Sequence, residues 1–148
     1  MSPATAKHAM ETYQAICSSM LIKSDYSEIQ GKKHKNKSAW RKLARAFNIS
    51  DFIIQETKDV EGQDFVWRIW VRASSPSGRF CIGIGACSTK ERGFAHRDHD
   101  VYATAHTRAK NRAISDLIGS GEVSAEEIEA PKDKVTYFEG GNRELLKK

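Results

Sequence analysis

The 148-residue chain predicts an α+β fold: an antiparallel β-sheet with a β-hairpin, packed against one long C-terminal helix and shorter helices. Three observations lead there. Residues 65–73 and 79–87 each alternate with a period of two, and Ser74-Ser75-Pro76-Ser77-Gly78 between them is a turn sequence. Over 100–118 the pattern becomes helical, with Val101, Ala105, Ala109, Ala113 and Leu117 in one line. The order of elements is helix, strand, basic loop, helix, strands, helix, which is not the regular alternation of a doubly wound sheet.

The elements follow from local pattern. Ala9, Met10, Tyr13, Ile16, Cys17 and Met20 recur at helical spacing, so 1–20 is an N-terminal helix. Residues 21–30 form a weakly alternating strand with Tyr26 and Ile29, closed by Gly31. The segment 31–37 has no apolar residue, so a loop or hairpin tip is expected. Ser38 is a candidate N-cap for a helix ending near Asn48, whose apolar stripe is Trp40, Leu43, Ala44 and Phe47. Residues 51–57, with Phe52, Ile53 and Ile54, read as a strand, and Glu61-Gly62-Gln63 as a turn.

In the clearest strand Phe65, Trp67, Ile69, Val71 and Ala73 share one face, and Val66, Arg68, Trp70 and Arg72 the other. In its partner Phe80, Ile82, Ile84 and Ala86 face one way, and Cys81, Gly83, Gly85 and Cys87 the other. The small second set admits a close neighbour, either a packed helix or a ligand. Asp98 or Asp100 is the expected cap of the long helix, with Gly119 and Gly121 ending it. Ser124 followed by Glu127 is a capping-box pattern for one more short helix. The expected organisation is an N-terminal helix over 1–20, one α+β domain over 21–130, and a polar, poorly ordered tail over 131–148.

No run reaches the roughly 18 apolar residues of a membrane span, so no membrane partner is expected. Lys7, His8, Glu11 and Gln14 interrupt any signal-peptide core. Three cysteines, Cys17, Cys81 and Cys87, cannot all pair, which fits a reducing compartment, and a cytoplasmic location is expected. The net charge of +5 is segregated: residues 29–50 hold Lys32, Lys33, Lys35, Lys37, Arg41, Lys42 and Arg45 and no acid. Such a patch favours polyanions, while a solvated lysine-rich loop is the plain alternative.

Candidate chemistry is sparse. Gly83-Ile84-Gly85 lies inside a strand pattern and lacks phosphate-loop spacing. His96, Asp98, His99 and Asp100 are the residues on which a metal-dependent nuclease would rest; as loop polar groups and a helix cap they need no metal. Trp40 beside Arg41, and Trp70 between Arg68 and Arg72, interleave rings with cations as single-strand binders do. Trp40 lies on an apolar stripe, which favours core packing. Trp70 is suited to a base platform, to a covering helix or to a neighbouring subunit.

The long helix reads Ala103-Thr104-Ala105-His106-Thr107-Arg108-Ala109-Lys110-Asn111-Arg112-Ala113-Ile114, then Leu117-Ile118-Gly119. This resembles the single-strand annealing proteins of recombination and repair: the eukaryotic annealing mediator, the phage essential-recombination-function proteins and bacterial DNA-damage response protein A. Thr107, Arg112, Ala113 and Gly119 fill the places of the signature Thr-x-x-x-x-Arg-Ala and its glycine, and the similarity spans residues 20–121. The resemblance implies a non-catalytic, cofactor-free homo-oligomer that holds single-stranded DNA by its backbone, Arg112 among the contacts, with recombination proteins as further partners. Asn111 stands where a lysine is common, and Arg108 supplies a cation nearby. The surface residues so expected are Lys33, Lys35, Lys37, Arg41, Arg68, Arg108 and Arg112. Arg112 has Asp116 four residues on as an ordinary helical partner, whereas Arg108 has no acid at that spacing. A metal-dependent nuclease and an RNA-binding module are the alternatives.

Overall fold

The computed structural model describes residues 2–118. The expected helix stop at Gly119 and Gly121, the short helix from Ser124 and the tail over 131–148 lie outside the described residues. The architecture is α+β. Helix α1 (Pro3–Met20) leads through a single 3₁₀ turn (Lys23–Asp25) into a hairpin of β1 (Tyr26–Ile29) and β2 (Lys32–Lys35). Helix α2 (Lys37–Ala46) follows, then an antiparallel meander of β3 (Ser50–Glu61), β4 (Asp64–Ser74) and β5 (Phe80–Ser88), and last α3 (Arg97–Ile118).

The sheet has one covered face. Ile69, Val71 and Ala73 of β4 are buried against Val101, Ala105, Ala109, Ala113 and Leu117 of α3. Helix α3 lies on β5 at the limit of backbone approach. A Cβ on Gly83 would stand 2.4 Å from the Ala109 carbonyl oxygen and the Ala113 nitrogen, and one on Gly85 2.3 Å from the Ala109 nitrogen. The glycines of the strand and the alanines of the helix are one device: each removes the side chain that would hold the two backbones apart. The close neighbour of the Gly83–Gly85 face is therefore a helix.

Trp40 and Leu43 of α2 enter the same core, which places α2 on the α3 side of the sheet. Helix α1 buries no residue fully; Tyr13, Ile16 and Cys17 touch the core from outside, and Tyr13 stacks on Phe47 with ring centroids 6.5 Å apart.

Several boundaries differ from expectation. The apolar-free segment 31–37 contributes a strand, β2, that pairs with β1 across Gln30 (φ 53°) and Gly31 (φ 80°). Two consecutive positive φ angles are what a tight primed turn requires, and glycine takes the second at no steric cost. The α2 cap is Asn36, not Ser38: the Asn36 side chain accepts the Ser38 N–H at 3.2 Å. Strand β3 runs on to Glu61 because the β3–β4 turn is tight, and its register shifts between Ile53 and Gln55. His96, not Asp98 or Asp100, precedes the first turn of α3, and Asp100 Oδ2 accepts its N–H at 3.1 Å. Among the described residues no helix is long and apolar enough to cross a membrane.

Candidate nucleic-acid interface

Asp25 fastens the hairpin to α2. Its carboxylate accepts the Ile22 N–H at 2.9 Å, the Ser38 hydroxyl at 2.6 Å and the Lys42 ammonium at 2.7 Å. Burial alone would raise this carboxyl, yet the bonds from Lys42, Ser38 and Ile22 outweigh it and hold the group below its ordinary value. Lys42 is thereby committed to the fold.

Lys35 is also internal. It is 7% exposed, and its ammonium lies over the rings of Tyr13 (5.6 Å), Trp40 (5.8 Å) and Tyr26 (5.9 Å). Three aromatic faces supply the negative potential that solvent would otherwise provide. Lys35 was expected on a phosphate-binding loop; the structure makes it the plug between α1, the hairpin and α2.

The remaining cations of this segment face outward. Lys37, Arg41 and Arg45 are exposed and four residues apart, so they form one row along α2 at about 6 Å intervals. Lys32 and Lys33 on β2 are exposed as well, with Lys33 Nζ 5.6 Å from the Tyr26 ring. The opposite side of α2 carries Ala39, Trp40, Leu43 and Ala44 into the core, so burial of that stripe is what turns the cationic row to solvent. Arg45 belongs to this row and is absent from the expected set. The helical spacing of Lys37, Arg41 and Arg45 was the available signal.

Of the expected α3 cations, Arg108 is not at the surface. It is 6% exposed, and its guanidinium meets the Glu91 carboxylate through two bonds of 2.9 and 3.0 Å and the Ala86 carbonyl at 2.7 Å. Glu91 in turn accepts the Ser88 N–H at 3.2 Å. The acid that Arg108 lacks at helical spacing is supplied by Glu91 from the loop after β5. Arg112 is half-buried and donates to the Ile84 carbonyl at 3.3 Å. Ile84 and Ala86 carbonyls point away from β4, so these two arginines cap the open edge of β5. Arg68 is paired with Asp59 on the uncovered face of the sheet, the side opposite α2. The structure thus sets Lys37 and Arg41 in one exposed row and leaves Lys33 exposed on β2, whereas Lys35 and Arg108 are buried, Arg112 caps the edge of β5 and Arg68 lies on the other face of the sheet.

The seam between β3 and α3 absorbs more charge: Asp51 with Lys110 at 3.7 Å, Lys58 with Asp98 at 2.8 Å, and Glu56 with the Tyr102 hydroxyl. Burial, with Lys110 nearby, lowers the His106 pKa below its ordinary value. The residues of the nuclease alternative do not converge. Asp98 binds Lys58 and the Trp67 indole, while Asp100 binds the His96 N–H and His99. Among the described residues no three His, Cys, Asp or Glu side chains form a metal-holding group. Comparison of the sequence with protein-family models and with curated proteins returns no match.

Proposed function

We propose that the chain binds single-stranded nucleic acid by its phosphate backbone and acts as a single-strand annealing protein in recombination or repair. The observation that carries this reading is the exposed cationic row Lys37, Arg41 and Arg45 on α2, with Lys32 and Lys33 also exposed on the preceding strand. No carboxylate lies on that face of α2, and Arg41 and Arg45 form no ion pair among the described residues. Backbone neutralisation leaves base edges free to pair, which annealing demands. Affinity then depends strongly on salt and weakly on sequence.

The resemblance of the α3 sequence to the annealing superfamily supports the same reading and adds a homo-oligomer. The contact that the resemblance implies at Arg112 passes here to α2, since Arg112 is half-buried and donates to the Ile84 carbonyl, and Arg108 beside it is occupied by Glu91.

The test is a strand-annealing and gel-shift assay on complementary oligonucleotides, with RNA of equal length as competitor. Acceleration of annealing that is lost in Lys37→Ala/Arg41→Ala/Arg45→Ala supports the reading. Preference for RNA would make the chain an RNA-binding module. Strand cleavage in Mg²⁺ or Mn²⁺ that His99→Ala abolishes would replace annealing with nuclease chemistry.

A further inference from the structure

The face of the sheet turned away from α3 carries an apolar patch. Phe52, Ile54, Phe80, Ile82 and Ile84 are each between 36 and 53% exposed, and half-buried Trp70 sits among them. Register sets Phe52, Arg72 and Ile82 in one row and Gln55, Trp70 and Ile84 in the next. The larger apolar side chains of β5 point outward because the inward side is reserved for Gly83 and Gly85 under α3. Nothing among the described residues covers this patch, and exposed apolar area of this kind marks an interaction surface.

The two arginines of the face differ in what they leave open. Arg68 and Asp59 neutralise each other beyond the patch. Arg72, inside it, has no such partner. Its guanidinium lies over the Phe80 ring at 4.1 Å, it makes no ion pair or hydrogen bond among the described residues, and its Nε is buried without an acceptor. No carboxylate stands in the row of Phe52, Arg72 and Ile82 or in the row beside it. A guanidinium in apolar surroundings holds a carboxylate more strongly than one in open water, and a docked partner supplies both the acid and the dry surroundings.

The edge of β5 is not free for an added strand, since Arg108 and Arg112 take the Ala86 and Ile84 carbonyls. A partner therefore meets the face through side chains. Three strands span about 10 Å, the width of one α-helix, and the step from Phe80 to Ile84 is about 13 Å, or about nine helical residues. We propose that this outer sheet face docks an amphipathic helix of a partner protein, its apolar stripe on Phe52, Trp70, Ile82 and Ile84 and an Asp or Glu beside that stripe paired with Arg72. A nucleic-acid strand carries a charge on every nucleotide and meets one open cation here, so it suits the face less well. The proposal does not depend on the nucleic-acid reading, whose cationic row belongs to α2, on the α3 side of the sheet.

The test uses the full chain and two fluorescein-labelled peptides of about 14 residues with leucine at every third or fourth position, one carrying glutamates beside the leucines and the other lysines. Fluorescence anisotropy should show binding of the glutamate peptide and little of the lysine peptide. Ile82→Gln should abolish binding, and Ile82 points to solvent, so that variant should melt near the parent. Arg72→Gln should weaken binding about tenfold, the size expected of one charge-assisted contact. Arg72→Glu should reverse the preference between the peptides, which an unfolded chain would not do. Equal affinity for the two peptides, or binding of the glutamate peptide that is indifferent to Ile82→Gln or to Arg72→Gln, would overturn the proposal. So would refusal of both peptides; if Ile82→Gln then abolished binding to phospholipid vesicles or to a single-stranded oligonucleotide, the face would belong to lipid or to bases.

Discussion

The two halves of the molecule treat cations in opposite ways. Along the α3 seam they are met by carboxylates: Arg108 by Glu91, Lys110 by Asp51, Lys58 by Asp98, Arg97 by Asp64. In the hairpin and α2, Lys42 meets Asp25 and Lys35 is enclosed by rings. The other cations there are exposed to water, on a stretch, 29–50, that has no acid of its own. The difference lies in packing. Helix α3 is pressed onto the sheet by glycine and alanine, so arginines at its margin are trapped and must be neutralised. Helix α2 buries one stripe and shows the reverse. The direction in which an element turns a basic residue therefore decides whether its charge is left to solvent, and basic spacing alone does not.

The largest expected effect breaks the tight half. Gly85→Val adds a side chain 2.3 Å from the Ala109 nitrogen, where only backbone is available to yield. Overpacking usually costs about 1–3 kcal/mol, and here the destabilisation should reach or exceed the upper end. A urea titration should show a large fall in midpoint, or no cooperative fold.

Removing one partner of the buried ion pair comes next. Arg108→Ala strands the Glu91 carboxylate, 1% exposed, and should cost about 3–5 kcal/mol in the same titration. Arg108→Met with Glu91→Leu should cost less than either single change, because no uncompensated charge remains.

Lys35→Ala separates fold from function within the basic half. It empties the space between Tyr13, Tyr26 and Trp40, and should cost about 1–2 kcal/mol as cation–π attraction and stem packing disappear. Lys33→Ala should stay within about 0.5 kcal/mol of the parent. Equal melting of the two variants would contradict the assignment of Lys35 to the interior.

The smaller effects are chemical. Asp25 has its carboxyl held down in the folded state, so its stabilisation is complete above the ordinary carboxylate range near pH ~4 and disappears as pH falls through the lowered value. The difference in stability between the parent and Asp25→Asn should shrink as acid is added below pH ~4. Burial and then the Glu91 charge push the Cys87 thiol up to about 12, so iodoacetamide at pH ~8 should modify half-buried Cys17 and Cys81 before Cys87.

Much of this division is visible in the amino-acid order. The alternation of β4 and β5, the Ser-Pro-Gly turn and the alanine line of α3 predict the meander and its helix, and Gly83 and Gly85 predict a close neighbour. The apolar stripe of α2 predicts which side of that helix is buried, with Trp40 in the core. Strand β2 escapes the same reasoning because Lys-Lys-His-Lys carries no apolar signal, and its one buried side chain is a lysine among rings contributed from three elements. Arg108 escapes it for a related reason: Glu91 lies 17 positions away across a loop, beyond any helical spacing. Local pattern reports where a side chain points, whereas long-range pairing decides whether its charge is available.

The slope of log affinity against log salt for a single-stranded oligonucleotide tests the central claim most directly. Arg41→Ala/Arg45→Ala removes two exposed cations and no buried group, so the melt should remain within about 0.5 kcal/mol of the parent. The slope should become shallower by about 1.4, which is about 0.7 for each phosphate no longer neutralised. Parental affinity and an unchanged slope in a normally folded variant would contradict the assignment of α2 as the binding surface.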